Sequence, residues 1–313
     1  MAFLKRNLPR LRLGTRGSRL ALIQAALVRD ALLAVDPDFA DKIEFVTFTT
    51  PGDTDRTHPL ERLNAAQSGR GVFSDVLDNA VLTGEIDLAV HSVKDTPALF
   101  APGLTLAATL ERADPREAFI SFRHQRLADV PAPARFGSAS LRRSAMLRAI
   151  KPQATFTLLR GNVEERLALL RATDLDGTIL AVAGLARLNR ANVIAEILEP
   201  DVLMPDPGQG AIGIVTATDN LRLQRLLAGI DHAATHAAVD AERATLAAIG
   251  PHLPVGALAR LSGAHLVLEA VVAPGDNREL LRGRIDGPLS HAESLGRILG
   301  LQLKTGLDLQ AAA

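Results

Sequence analysis

Five turns carry the side chains that could do chemistry, and each follows a segment that reads as a strand. Arg16 and Ser18 follow a strand at 11–15. Lys94 and Asp95 follow one ending at Val90. Ser138, Ser140, Arg142 and Arg143 occupy a Gly-Ser turn leading into a helix. Arg160 follows a strand at 155–159, with Arg166 one helical turn further on. Arg187 stands just beyond a strand end at 180–184. Strand ends are where α/β folds place ligands. A helix N-terminus beside guanidinium forks is a physical recipe for holding anions. Most of these cationic turns point towards one crevice, so the expected ligand carries several carboxylates or phosphates. Ser18 and Ser140 equally fit plain helix N-caps, and Asp95 before Thr96-Pro97 equally fits a turn residue. His232 and His236, four apart on a helix, have no third ligand in view, so no metal is expected.

The composition narrows the classes. The chain has 313 residues, with 35 basic and 35 acidic side chains and no net charge. A non-specific nucleic-acid binder needs a basic excess, so nucleic acid is not an expected partner. Only five of the basic residues are lysines, and the remaining thirty are arginines, whose planar forks grip carboxylates at two points. Cys, Trp and Tyr are absent. That excludes disulfides, thiolate metal sites, iron–sulfur clusters and a thiol nucleophile. No apolar run resembles a signal-peptide core or reaches the ~18 residues of a membrane span. The expectation is a cytoplasmic protein that binds no membrane, present as a monomer.

Two blocks of strand–helix alternation must position these turns. The first runs over 11–110 and regains a strand at 211–215, giving a lobe of 11–110 with 211–228. The second covers 116–204. Asp114-Pro115 opens it, and Pro205-Asp206-Pro207-Gly208-Gln209-Gly210 closes it. βαβ units imply parallel sheets, and two Pro-bearing connectors are what a lobe inserted in another lobe requires. Residues 51–71 lack periodicity and read as a long mobile loop. From 232 to 313, strands grouped between two helices predict a small α+β domain. The fold expected is therefore α/β, two lobes of periplasmic-binding-protein type with a double hinge, plus that third domain. A two-lobed solute-binding protein would have the same grammar, but it lacks a third domain and carries an export signal.

In ordered segments along nearly its whole length the chain resembles the porphobilinogen deaminase (hydroxymethylbilane synthase) family. The segments are Leu13-Gly14-Thr15-Arg16-Gly17-Ser18; Gly69-Arg70-Gly71-Val72-Phe73; His91-Ser92-Val93-Lys94-Asp95; Glu111-Arg112-Ala113-Asp114-Pro115-Arg116; Gly137-Ser138-Ala139-Ser140-Leu141-Arg142-Arg143; Leu159-Arg160-Gly161-Asn162; and Pro207-Gly208-Gln209-Gly210. The resemblance implies an enzyme that joins four porphobilinogen molecules head to tail. Ammonia is lost at each step, and the linear tetrapyrrole hydroxymethylbilane is released. It implies a dipyrromethane cofactor, held by a thioether to a cysteine in a third-domain loop. It implies Asp95 as the catalytic carboxylate, assisting deamination and stabilising the azafulvenium cation. Lys94, Ser140, Arg142 and Arg143 would hold the cofactor; Arg16, Ser18, Arg160, Arg166, Arg187 and Phe73 would hold the incoming pyrrole or the growing chain. The partners would be small polycarboxylate pyrroles.

One departure bears on the chemistry. The family's loop reads approximately Gly-Gly-Cys-x-x-Pro, whereas this chain has Gly250-Pro251-His252-Leu253-Pro254. Anchoring on Pro254 puts Pro251 at the cysteine position. Proline has no nucleophile, and no other side chain combines the softness and partial ionisation of a thiolate. An imidazole adduct at His252 is the remaining covalent option. The resemblance leaves two readings. One is a working synthase with its primer held without a thioether; the other is a non-catalytic or rewired paralogue that binds a pyrrole, a linear tetrapyrrole or another polycarboxylate.

Overall fold

A computed structural model describes residues 10–58, 71–250, 252–274 and 279–312. The first lobe begins with β1 (Leu11–Arg16), α1 (Arg19–Val35), β2 (Ile43–Phe48) and a single turn, α2 (Pro51–Thr54). It continues with α3 (Asp75–Leu82), β3 (Leu88–Ser92) and β4 (Leu104–Thr109). The chain then crosses into β5 (Glu117–Ile120), β6 (Arg135–Ser138), α4 (Leu141–Ile150), β7 (Thr155–Leu158), α5 (Val163–Ala172), β8 (Gly177–Ala181), α6 (Val182–Arg187) and β9 (Glu196–Leu198). It returns as β10 (Ile212–Ala217) and α7 (Leu221–Leu227). The last third holds α8 (Ala233–Ile249), β11 (Val255–Ser262), β12 (His265–Val272), β13 (Leu281–Pro288) and α9 (Ala292–Ala312).

Sheet order explains the lobes. The first sheet runs β2-β1-β3-β10-β4 and the second β7-β6-β8-β5-β9. Each lobe thus repeats one pattern, with a strand from the far side of a crossing inserted next to the last. β10 lies antiparallel to β3 and β4, and β5 lies antiparallel to β8 and β9. The two sheets are therefore mixed, not parallel as the βαβ reading predicts. A strand that enters a lobe through the hinge arrives from the opposite end. The crossings at 110–116 and 199–211 form the double hinge. Gly210 in the second crossing adopts φ +89, and a Cβ there would meet the Ala113 carbonyl oxygen at 2.5 Å. Any other residue would push the two connectors apart.

Each sheet buries its own apolar set. Leu13, Val28, Leu32, Leu88 and Ile214 fill the first lobe, and Phe119, Phe136, Met146 and Ile179 the second. The third domain lays α8 and α9 on an antiparallel sheet, β11-β12-β13. Its Leu258 and Val271 join the core of the second lobe through Met204 and Leu203. α8 is N-capped by His232, whose ring accepts from the Thr235 amide, and His236 pairs with Asp231 at 2.9 Å. The expected loop at 51–71 begins with the α2 turn; residues 59–70, including Arg70, lie outside the described residues, as does Pro251.

Candidate active site in the interlobe crevice

The two lobes and the third domain enclose a cavity of about 740 Å³. Every described residue of the expected set lines it: Arg16, Ser18, Phe73, Lys94, Asp95, Ser140, Arg142, Arg143, Arg160, Arg166 and Arg187. His252 reaches the same cavity from the third domain. Arg187 closes the helix α6 rather than a strand end, because the strand before it stops at Ala181. Among the described residues, ten cationic side chains line the cavity against four carboxylates, Asp53, Asp95, Glu164 and Asp206. A chain with no net charge has concentrated its positive excess in one place.

Local structure accounts for each placement. Ser18 Oγ accepts from the Ala21 amide and Ser140 Oγ from the Arg143 amide, so both serines are N-caps that start α1 and α4 at the cavity wall. Arg16, the last residue of β1, lies with its guanidinium carbon 4.1 Å from the centre of the Phe73 ring. It donates to Asp53 and comes within 4.0 Å of the Asp95 carboxylate. Burial pushes the Asp53 carboxyl up, but hydrogen bonds from Arg16 and Thr50 prevail and hold it below the usual carboxylate range. Asp95 ends a 3-10 turn, Val93–Asp95, directly after β3.

The arginines differ in how far they are already committed. Arg142, almost fully buried, donates to both oxygens of Asp206, to Glu117 and to the Met204 carbonyl. It thereby ties α4 to both hinge crossings. Arg143 shares Glu117 through Nε and Nη2, both at 2.9 Å. Glu117 is fully buried. Burial raises its pKa, and Arg143 and Arg142 more than reverse this, leaving it lowered. Arg160 crosses the crevice and donates to the Gly52 and Asp55 carbonyls at 3.1 and 2.9 Å. Arg187 donates to the Gly210 carbonyl at 2.7 Å.

Two cations are poorly neutralised. Arg166 donates Nε to the Gly161 carbonyl at 2.8 Å. Burial, followed by repulsion from Arg143 and Arg160, lowers its pKa to about 10. Lys94 donates to Gln209 at 3.1 Å, and desolvation and then Arg143 push its ammonium down despite Asp95, Asp206 and Glu117. Guanidinium and ammonium groups that repel one another in a partly desolvated space are a standing demand for added anions.

The sequence reading misses Asp53, Glu117 and Arg243 as participants and has Asp206 only as part of the closing connector. Glu117 directly follows the first hinge crossing and Asp206 lies within the second, and both reach the site only through the topology. Arg243 leaves a faint trace, since α8 is rich in alanine and buries about half of its residues, Glu242 and Arg243 among them. Its few charged side chains must therefore find partners.

The family described as "Porphobilinogen deaminase, dipyromethane cofactor binding domain" matches residues 11–225. A porphobilinogen deaminase of Roseiflexus sp. (strain RS-1) is 43% identical over 293 residues, covering 93% of this chain and 94% of the relative. That of Roseiflexus castenholzii is 43% identical over 295 residues, covering 94% and 95%. A periplasmic substrate-binding protein of an ABC transporter from Coxiella burnetii matches at 11% identity and a TM-score of 0.45, over 70% of this chain and 91% of its own. The two-lobed architecture stands on the strand order itself, and with a match of this length and identity the chain belongs to the porphobilinogen deaminase family.

Proposed function

We propose that this chain joins porphobilinogen units head to tail with loss of ammonia, yielding hydroxymethylbilane, and that the growing chain is held by ion pairs alone. The observation that carries the reading is the cavity itself: ten cations and four carboxylates, one of them Asp95 at the end of its turn. Each pyrrole brings an acetate and a propionate, so a lengthening oligomer supplies further anions to Arg166 and Lys94, whose burial and cationic neighbours outweigh the carboxylates near them. Loss of ammonia from the aminomethyl group leaves an azafulvenium cation. An ionised carboxylate at Asp95 stabilises that charge; when the free α-carbon of the next pyrrole bonds the azafulvenium methylene, Asp95 accepts the α-proton released, which leaves with the ammonia as ammonium. Arg16, paired with Asp53, within 4.0 Å of Asp95 and stacked on Phe73, puts a cation beside that carboxylate. Arg143, Arg160, Arg166 and Arg187 bind acid side chains; Arg142, with its donors spent on the hinge, holds α4 in place for them.

A dipyrromethane attached through a thioether does not fit this chain, which has no cysteine. The same absence favours a second reading, a paralogue that binds an oligopyrrole without polymerising. Incubation with porphobilinogen separates the two. The first predicts ammonia release and a bilane that cyclises to uroporphyrin; the second predicts binding with neither product, and no rescue of a deaminase-deficient strain. Intact mass under native and acid-denatured conditions then shows whether a bound dipyrrole is lost on unfolding, as ion-pair retention requires, or persists, as an adduct at His252 requires. Among the described residues no helix is long and apolar enough to cross a membrane, and we propose that the protein works as a cytoplasmic monomer.

A further inference from the structure

Helix α8 belongs to the third domain, yet two consecutive residues on it reach into the rest of the molecule. Glu242, fully buried, accepts from both terminal nitrogens of Arg112 at 2.6 and 3.0 Å, from the Gly208 amide at 2.6 Å and from the Ala259 amide at 2.7 Å. It pins the helix to the hinge and to β11. Arg243 does something different. Its Nη1 donates to Thr96 Oγ1 at 2.7 Å, its Nη2 donates to the Ala98 carbonyl at 3.1 Å, and its guanidinium lies 4.4 Å from the Phe100 ring centre. Thr96 in turn donates both its hydroxyl and its amide to the Val93 carbonyl, at 2.6 and 3.0 Å. Those two bonds close the turn whose last residue is Asp95.

We propose that Arg243 is a positioning residue: from the third domain it clamps the segment after Asp95, so that this carboxylate is aimed into the crevice. The proposal rests on the deamination chemistry assigned above to Asp95. A planar fork suits the task, because two donors on one rigid group fix both the hydroxyl and the carbonyl of the segment. Burying the guanidinium is costly, and burial lowers its pKa to about 10, with Asp240 and Asp78 acting against that. A mere contact between domains would not need a charge there. Arg243 also lines the cavity, on the helix that leads directly into the loop carrying His252.

The test compares wild type with Arg243→Met, Arg243→Lys and Thr96→Val for ammonia release from porphobilinogen, thermal midpoint and hydrogen exchange of the 93–100 backbone. A misaimed group at the reacting centre costs about 10²-fold. We expect Arg243→Met to lower kcat by about that factor, well below its unfolding midpoint, with KM little changed. Lysine should recover part of the loss, and Arg243→Met should cost nothing further in an Asp95→Asn background. Thr96→Val removes the Nη1 half of the clamp, together with the hydroxyl bond to the Val93 carbonyl, without touching α8, so it should lower kcat even if Arg243→Met does not fold. Full kcat in these variants, or losses additive with Asp95→Asn, would overturn the proposal. If wild type releases no ammonia, the functional reading fails by itself. Exchange then decides for Arg243: faster exchange confined to 93–100 supports the clamp, and unchanged exchange refutes it.

Discussion

Asp95 and Arg166 show how one crevice sets opposite tasks for its charges. Asp95 has little to do with the integrity of the turn, which Thr96 closes, so Asp95→Asn should fold normally and still bind oligopyrroles. Its ammonia release should fall about 10²–10⁴-fold, the range for a positioned proton-transfer group; an Asn variant that retains full rate would remove Asp95 from the chemistry. Arg166 is a cation kept at a cost. Its pKa in the fold is about 10 against an ordinary 12.5. The native state therefore releases this proton before the unfolded chain does. Between those values the unfolded chain binds more protons, and this group makes stability rise with pH; below about pH 10 its charge is a net penalty. Arg166→Met should thus raise the unfolding midpoint of the ligand-free protein at neutral pH while weakening its affinity for polycarboxylates, and the gain should shrink above pH 10.

Among elements, the hinge crossings and α4 depend on Glu117. This carboxylate, with no accessible surface, neutralises two consecutive arginines of α4. Removing one partner from a buried pair costs about 3–5 kcal/mol, because the remaining charge stays uncompensated. Glu117→Gln should lose about that much in urea unfolding at pH 7. The pKa of Glu117 lies below its ordinary 4.5 in the fold, so its contribution is complete above 4.5 and disappears as the pH falls through the folded value. The gap between variant and wild type should close in the same window. Packing of the third domain depends on backbone proximity: a Cβ at Gly296 in α9 would lie 2.0 Å from the Ala241 carbonyl oxygen of α8. Gly296→Val should therefore separate the two helices and lower the melting temperature, and an unchanged one would mean the helices are not so close.

Across the whole molecule, the lobes meet at the crevice mouth through Arg19–Glu164 at 2.8 Å, Arg56–Glu165, and Arg160 on the carbonyls of Gly52 and Asp55. The two ion pairs are solvent-exposed, worth less than about 1 kcal/mol each and weakened by salt. Apart from buried Arg160, these contacts across the mouth are weak, and an anionic ligand that engages Arg143 and Arg166 from one lobe and Lys94 from the other adds to closure. Small-angle scattering should show a larger radius of gyration for the free protein at about 1 M salt, where charges are screened beyond about 3 Å. A tetracarboxylate ligand at low salt should reduce it. A radius indifferent to both would mean that the crevice is rigid.

Much of this was written in the chain. Strand-end turns at Arg16, Lys94-Asp95, Ser140-Arg143 and Arg160 stand out because β-branched runs, caps and glycines are local signals, and a strand end is a local event. The absence of a thiol is a fact of composition. What only the tertiary structure decided is which charges meet. Glu117 and Asp206 come to Arg142 because β5 and β10 cross between lobes, and Arg243 comes to Thr96 across 147 residues of chain. Pairing at such separations depends on topology, and no local periodicity records it.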